Sequence, residues 1–339
     1  MIPALPLADV GFVEATWVLI AKSLVIFGVI FAIAPVLTVI ERKTLGRFQQ
    51  RYGPNRVGPF GLLQPLADAL KLIGKEGYRP DRSVPLLWAL GPVLVVFSGV
   101  ALLAILPWGN VQEVGDGEVG LYGIDVSIGI LYFFAFSAFA FYGLLLGGWA
   151  SGSKYSFLGA MRSAAQLISY EISMALALLG AVMIAGTLSL TEVVVAQDDV
   201  WFVVPQIVAF GVFIVAGFAE TNRAPFDLPE AETELVAGYQ TEYGGMRFGS
   251  FMLAEYIEMV VISGIAVTFF LGGWMGPGPG WLDPVWMLAK TLGLVFLFFW
   301  VRATLPRLRY DQLMSFGWKI LLPLATLNVL VTAIVLVAT

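Results

Sequence analysis

The chain of 339 residues is 59% hydrophobic and 14% aromatic, and only 13% of its residues are charged. This apolar content exceeds what a soluble domain of this size can bury, so it indicates a polytopic integral membrane protein. The chain has neither Cys nor His, which excludes a Cys-ligated iron–sulfur cluster, a His-ligated haem and an ordinary zinc site.

Eight apolar runs are long enough to cross a bilayer as helices, since a hydrocarbon core about 30 Å thick needs roughly 20 residues. The runs are 17–39, 86–106, 127–148, 164–186, 201–219, 252–272, 285–301 and 318–337. They are too long for the strands of a membrane barrel. The sequence therefore predicts one all-α membrane domain, 1–339, with eight transmembrane helices. No cleavable signal is evident at the N-terminus, and the first span is expected to be retained.

Nearly all of the 19 Lys and Arg residues fall in alternate connections between these runs. The basic connections are 41–85, 149–163, 220–251 and 302–319. The positive-inside rule predicts that these four connections are cytoplasmic and that both termini lie on the outer side. The net charge of −5 then reflects acidic outer connections and carries no indication of nucleic-acid binding.

The first cytoplasmic connection, 41–85, divides into two parts. Residues 41–61 are basic and rich in Gly and Pro, which favour turns over helix. In residues 62–75, helical spacing places the apolar residues on one face and the polar residues on the opposite face, which predicts an amphipathic helix at the membrane interface. One interpretation is that the basic residues serve topology and lipid headgroups alone. The alternative is that the connection forms a docking collar for a soluble partner or the rim of a cavity.

The predicted helices contain a few acids among apolar residues. In the fourth span, Glu171 lies about two turns from the cytoplasmic end, beside a polar stripe of Ser163, Gln166, Tyr170 and Ser173. A carboxyl at this depth is a candidate proton carrier. In the sixth span, Glu255 and Glu258 lie one turn apart on a common face. The alternative is that these two acids are near the surface and are satisfied by Arg247 or by water.

The connection 220–251 begins with ETNRAPFDLPEAETELVAGYQTEY, in which several carboxylates accompany a single arginine. Pro225 and Pro229 prevent a continuous helix. A solvated loop would also be acidic, but the interleaved apolar and aromatic residues indicate a folded, partly buried segment. Close carboxylates cannot all be ionised, so shared protons are expected. Without histidine, such a relay would use Asp, Glu, Lys, Tyr and water.

Two long motifs resemble a known family. They read ERKTLGRFQQRYGPNRVGPFGLLQPLADALKL in the first connection and FAETNRAPFDLPEAETELVAGYQTEYGGMRFG around the acidic connection. Both resemble the quinone-site membrane subunit of respiratory complex I, the proton-translocating NADH:quinone oxidoreductase, and the similarity covers nearly the whole chain.

The resemblance implies a subunit of this enzyme in the cytoplasmic membrane of a bacterium, with ubiquinone or menaquinone as substrate. It implies no flavin, haem, iron–sulfur cluster or metal on this chain. The implied partners are membrane lipid, soluble subunits that carry the terminal iron–sulfur cluster and the quinone headgroup site, and small and antiporter-like membrane subunits. The implied proton relay comprises Asp68, Glu171, Glu220, Asp227, Glu230, Glu232, Glu234 and Glu255. The implied wall of the quinone chamber, with its loop contacts, comprises Glu41, Arg42, Arg47, Lys71, Glu76 and Arg223.

Two alternatives from other classes stay open at this point. A membrane-bound hydrogenase or formate-oxidising complex uses a related anchoring subunit without quinone. A stand-alone ion transporter would also explain buried acids, but it should show an inverted repeat with broken helices. No such repeat is evident in the sequence.

Overall fold

A computed structural model describes residues 16–114, 117–229 and 235–338, and helix dominates throughout. The helices are Thr16–Phe48 (α1), Gln64–Gly74 (α2), Pro85–Ala104 (α3), Gly129–Ala150 (α4), Lys154–Ala185 (α5), Leu190–Val195 (α6), Ile207–Glu220 (α7), Gly245–Phe270 (α8), Asp283–Thr304 (α9), Tyr310–Phe316 (α10) and Leu322–Ala338 (α11). A π-helical turn, Gly317–Leu321, joins α10 to α11. Short 3-10 turns occupy Pro59–Gly61, Gly238–Gln240 and Gly280–Leu282.

Within the described ranges, six helical segments are long and apolar enough to cross a membrane. They are Pro85–Ala104, Gly129–Ala150, Lys154–Ala185, Gly245–Phe270, Gly280–Thr304 and Tyr310–Ala338. The protein is therefore a helical integral membrane protein. The two remaining predicted spans coincide with α1 and with the shorter apolar helix α7. The count of eight crossings stays a prediction.

Helix α8 lies at the centre of the bundle. In the most apolar stretch of α8, 83% of the residues are buried, compared with 17% in that of the C-terminal segment Tyr310–Ala338. Because α8 has neighbours on nearly every side, each acid that it carries faces protein. The C-terminal segment instead presents most of its surface outward, as expected of a helix in contact with lipid.

Glycines bring neighbouring helices into close contact. A Cβ atom at Gly91 of α3 would lie 2.8 Å from the Cα of Gly147 on α4, and one at Gly143 would lie 2.5 Å from Val95 Cγ2. Small residues at such crossings let membrane helices pack backbone against backbone. Helices α3 and α4 therefore form a tight pair beside the centre.

Several boundaries differ from those predicted. Helix α1 continues to Phe48, beyond the predicted run 17–39, and α8 begins at Gly245 instead of residue 252. The reason is that hydropathy marks the part of a helix in the bilayer, whereas the helix itself continues into the polar zone. Helix α7 begins only at Ile207, six residues after the apolar run starts.

The all-α prediction was wrong in one respect, because the structure contains a β-hairpin. Strand β1, Pro107–Val114, pairs in antiparallel fashion with β2, Gly117–Tyr122, and Val111 lies opposite Gly120. A search for runs of about 20 apolar residues cannot detect strands this short, in which successive side chains point to opposite faces.

Helix α2 lies within the predicted amphipathic segment 62–75. Its apolar residues Leu66, Leu70 and Ile73 are all exposed. Its C-terminal end is held against the start of α8, since a Cβ at Gly245 would lie 3.1 Å from the carbonyl oxygen of Lys75. The first connection therefore lies beside the acidic one, while the location of α2 at a membrane interface stays a prediction.

Candidate functional site

Glu41 is a deeply buried carboxylate toward the C-terminal end of α1, with 1% of its surface exposed. Arg223 Nη1 donates to both of its oxygens, at 2.9 Å to Oε1 and 3.1 Å to Oε2. Tyr256 donates its hydroxyl to Oε2 at 2.6 Å, and Arg302 forms a further ion pair with Oε1. A buried charge must be paired and hydrogen-bonded to be tolerated, and Glu41 meets both conditions.

Arg223 connects Glu41 to a second acid. It lies in the turn after α7, and its Nη2 is 3.7 Å from Glu255 Oε2 on α8. Its guanidinium carbon also lies 4.4 Å from the centroid of the Tyr256 ring, which is a favourable cation–π position. Burial alone would lower the pKa of Arg223, but the charges of Glu41 and Glu255 hold it above its usual value. Arg223 therefore stays charged.

Glu255 also contacts the acidic connection. Tyr239 Oη lies 3.4 Å and Gln240 Nε2 lies 3.3 Å from Glu255 Oε1, and Gln240 donates to Tyr239 at 2.9 Å. The Tyr239 ring packs edge-on against Phe251, with the ring centroids 5.3 Å apart. The turn that precedes α8 is consequently folded onto that helix and largely buried.

Three more carboxylates continue from Glu255 into the bundle. Glu258, one turn along α8, interacts electrostatically with Glu255 and with Glu220 at the end of α7. Glu220 in turn interacts with Glu171 on α5. Together with Glu41 and Arg223, these acids form a series of electrostatic neighbours. We call this series of five carboxylates and one arginine the carboxylate row: Glu41, Arg223, Glu255, Glu258, Glu220 and Glu171.

A small cavity lies between Glu220 and Glu258. Ser137 of α4 lines it and donates its hydroxyl to Glu220 Oε1 at 2.6 Å. The other lining side chains are apolar, namely Leu102, Phe133, Ala140, Val261 and Ile262. About 10 Å³ is open to the centre of a water molecule, which is roughly room for one water.

Gln166 of α5 holds the turn that carries Arg223. Its Nε2 lies 2.7 Å from the carbonyl oxygen of Ala219, 2.8 Å from that of Phe226 and 3.2 Å from Asn222 Oδ1. Asn222 has a φ of 49°, a left-handed conformation that Asn tolerates better than most residues. Gln166 and Asn222 therefore set the direction in which the chain leaves α7.

Apart from Glu41, the predicted residues of the first connection lie away from the carboxylate row. Asp68 pairs with Arg42 at 2.7 Å and with Lys71 at 3.8 Å, and it accepts from Gln64 Nε2 at 3.0 Å. Arg42, Lys71, Arg47 and Glu76 are exposed. No hydrogen bond or ion pair found among the described residues joins these side chains to the row.

The rest of the acidic connection is only partly described. Asp227 is half-buried in the turn after Phe226. The predicted relay residues Glu230, Glu232 and Glu234 lie outside the described residues. Over residues 16–114, 117–229 and 235–338, no group of three or more acids is arranged to hold a metal ion.

Sequence reasoning misses several members of this site. Tyr256 and Ser137 lie in apolar runs where one hydroxyl carries no signal, and the basic pattern explains Arg302 by topology alone. For Glu258 the sequence leaves a surface location open, although its spacing from Glu255 already places both on one face. The sequence also offers Arg247 as a partner for these two acids. In the structure, the guanidinium of Arg247 instead lies over the ring of Trp88, 4.3 Å from the ring centroid.

Comparison with known proteins connects this geometry to a family. The sequence model of one family, described as NADH dehydrogenase, matches residues 21–333. The chain is 52% identical over 318 residues to the first H-type subunit of the NADH-quinone oxidoreductase of Geobacter metallireducens, covering 94% of this chain and 96% of that protein. It is 52% identical over 317 residues to the second H-type subunit of Geobacter sulfurreducens, covering 93% and 95%. The corresponding protein of Protochlamydia amoebophila is 48% identical over 303 residues, covering 89% and 93%.

Proposed function

The chain belongs to the NADH dehydrogenase family, together with the H-type subunits of bacterial NADH-quinone oxidoreductases, and from this premise we propose a specific role for it in that enzyme. Its first and acidic connections form part of the wall of a quinone chamber. Its carboxylate row couples quinone reduction in that chamber to proton translocation. The observation that supports the proposal is that these groups are electrostatic neighbours of one another, from the buried Glu41 through Arg223 to Glu171 on α5.

The surface of the first connection suits a quinone. Arg42, Arg47 and Lys71 offer positive charge to a polar headgroup, and the exposed face of α2 offers Leu66 and Leu70 to an isoprenoid tail. Because this face is open in the isolated chain, a soluble subunit would have to cover it to complete the chamber. We assign that cover to the subunits that carry the terminal iron–sulfur cluster and the headgroup site.

Arg302 offers a route from the chamber into the row. Its side chain is 43% exposed, yet it pairs with the buried Glu41. Reduction of a quinone creates negative charge that protons must neutralise. Such a charge near Arg302 would alter the field at Glu41 and Arg223, and the low dielectric around buried groups strengthens this effect. The acids beyond Arg223 would respond by redistributing protons.

The membrane orientation follows from the same proposal. The basic connections 41–85, 149–163, 220–251 and 302–319 face the cytoplasm, where the soluble subunits bind, and both termini face outward. The membrane is the bacterial cytoplasmic membrane. Eight helices cross it, and antiporter-like subunits receive the coupling signal beyond Glu171.

A quinone analogue with a photoreactive group tests the chamber. In the assembled enzyme, we expect labelled peptides within 41–76 or 220–255, and an excess of unmodified quinone should suppress the labelling. Labelling confined to the connections on the opposite side, such as 107–128 or 273–282, would exclude the chamber from this surface.

Replacement of Glu171 by Gln tests the far end of the row. The change removes a proton-binding group and keeps the shape of the side chain, so we expect lower proton transfer with assembly preserved. Asp198→Asn, the same kind of change at an exposed acid after α6, is the matched control. Normal turnover and normal proton transfer in Glu171→Gln would remove Glu171 from the relay.

A further inference from the structure

The two oxygens of Glu220 have different surroundings. Oε1 accepts a hydrogen bond from Ser137 Oγ at 2.6 Å. Oε2 is buried, and it receives no hydrogen bond from any part of the chain that the structure describes. A buried carboxylate oxygen without a hydrogen-bond partner is unfavourable, so a group that can donate a hydrogen bond is expected beside it. The cavity that Glu220 shares with Glu258 has room for one water molecule.

The packing of the helices keeps this cavity open and its walls fixed. On α7, a Cβ at Gly217 would lie 2.5 Å from Cγ2 of Ile262, so α7 and α8 touch one turn away from Glu220. On the other side, Ser98 of α3 donates to the carbonyl oxygen of Phe136 at 2.7 Å and so fixes α4 next to Ser137. The positions of Ser137, Glu220 and Glu258 therefore depend on these contacts between helices.

We propose that one water molecule occupies this cavity and bridges Glu220 Oε2 to Glu258, and that Ser137 is the positioning residue that turns Oε2 toward it. The inference rests on the proposed function, because it specifies how a proton passes between two members of the carboxylate row. Ser137 keeps its own proton throughout. Its donated hydrogen makes Oε1 the accepting oxygen, so Glu220 takes up and releases its proton at Oε2, on the side of the water.

Proton passage through this bridge balances. When Glu258 is protonated and Glu220 is ionised, the O–H bond of Glu258 breaks and its proton joins the water. A different proton leaves the water and forms an O–H bond at Glu220 Oε2. The water is regenerated, Glu258 is left ionised, and no electron moves. The reverse sequence returns the proton, so the direction follows the charge state of the neighbouring acids.

Infrared difference spectroscopy on the assembled enzyme tests the role of Ser137. The carboxyl bands of Glu220 are those that Glu220→Gln lacks. In Ser137→Ala we expect these bands to shift because Oε1 loses its donor, and proton transfer to fall about fivefold or more, the factor that one hydrogen bond represents. Ser151→Ala also removes a buried hydroxyl, one that donates to the carbonyl oxygen of Gly148 at the end of α4, and it should leave both measurements unchanged. Unshifted Glu220 bands in Ser137→Ala would overturn the positioning role.

The water itself has a separate test. A high-resolution map of the wild-type enzyme should show one ordered water between Glu220 Oε2 and Glu258, and an empty cavity would overturn the inference whatever the variants do. Ala140→Val adds two methyl groups to the cavity wall and should displace the water, so we expect slower proton transfer and a shift of the Glu220 bands, because Oε2 loses its donor. If Glu220→Gln were impaired while Ser137→Ala and Ala140→Val were normal, this bridge would fail and the carboxylate row would stand. A normal Glu220→Gln would instead remove the row.

Discussion

At the scale of single residues, the arrangement around Glu41 explains how the protein tolerates a buried negative charge on α1. Arg223 approaches from the turn after α7, Tyr256 from α8, and Arg302 from the last turn of α9. Each comes from a different element, so the ion cluster can form only when these elements are packed correctly around α1.

Arg223 should be the most sensitive member of this cluster. In Arg223→Gln, Glu41 and Glu255 lose a shared countercharge in a buried site, and removing one partner of a buried ion pair costs about 3–5 kcal/mol. We expect the assembled enzyme to unfold at a markedly lower temperature. Arg47→Gln, at an exposed arginine of the first connection, is the control and should have little effect.

A substitution at Tyr256 distinguishes the contribution of its hydrogen bond from that of its ring contact. Tyr256→Phe removes the donor to Glu41 at 2.6 Å and keeps the ring beneath Arg223. Loss of one hydrogen bond to a charged group should lower stability by about 1.5–3 kcal/mol. Tyr155→Phe, at a side chain that is 52% exposed, should be neutral in the same thermal unfolding experiment. Equal effects of the two changes would contradict the assignment.

The sequence indicates some residues of this cluster, but it does not indicate which of them pair with each other. Glu41, Arg223 and Glu255 stand out from acidic and basic motifs and from the family resemblance. Glu41 pairs with Arg223, which is 182 residues away along the chain, and with Arg302, which is 261 residues away. No spacing rule spans such distances, because the contact exists only once the helices have packed. Tyr256 and Ser137 give no signal, since isolated hydroxyls in apolar runs are common.

At the scale of elements, helix α7 determines where Glu220 lies. It is short, and Gly217 brings it against Ile262 of α8 just before the acid. Gln166 then holds the chain as it leaves the helix. The position of Glu220 beside Glu258 therefore depends on close helix packing as much as on charge.

Two glycines of α7 test this dependence. In Gly217→Ala the new methyl group would lie 2.5 Å from Ile262, and overpacking of this kind costs about 1–3 kcal/mol. Gly211→Ala is the matched control in the same helix, because nothing lies within 4 Å of its added atom. We expect Gly217→Ala to lower thermal stability and proton transfer, and Gly211→Ala to preserve both. A fully active Gly217→Ala would show that the separation of α7 and α8 does not matter.

Hydropathy is sufficient to predict the long helices but not the elements between them. Each of the eight predicted runs overlaps a helix, and six of these helices lie in segments long and apolar enough to cross a bilayer, where backbone groups must bond internally. The β-hairpin at Pro107–Tyr122 and the late start of α7 depend on local pairing and on turns around Trp201. The extension of α1 to Phe48 depends on packing outside the apolar zone.

At the scale of the whole molecule, α8 organises both the fold and the site. It is the central helix, and it carries Glu255, which pairs with Arg223, and Glu258, which interacts with Glu220. The first connection rests on the start of the same helix through Gly245. One helix therefore contacts the first connection at its start and carries two of the buried acids further along.

The most direct test is the number of protons moved per electron by the Glu220→Gln enzyme reconstituted in vesicles. Glu220 lies between Glu258 and Glu171, so removing its proton-binding oxygen should interrupt the row. We predict that the variant assembles and that its ratio of protons to electrons, its quinone reductase rate, or both fall well below those of the Asp198→Asn control. A Glu220→Gln enzyme with the wild-type rate and the wild-type ratio would contradict the account.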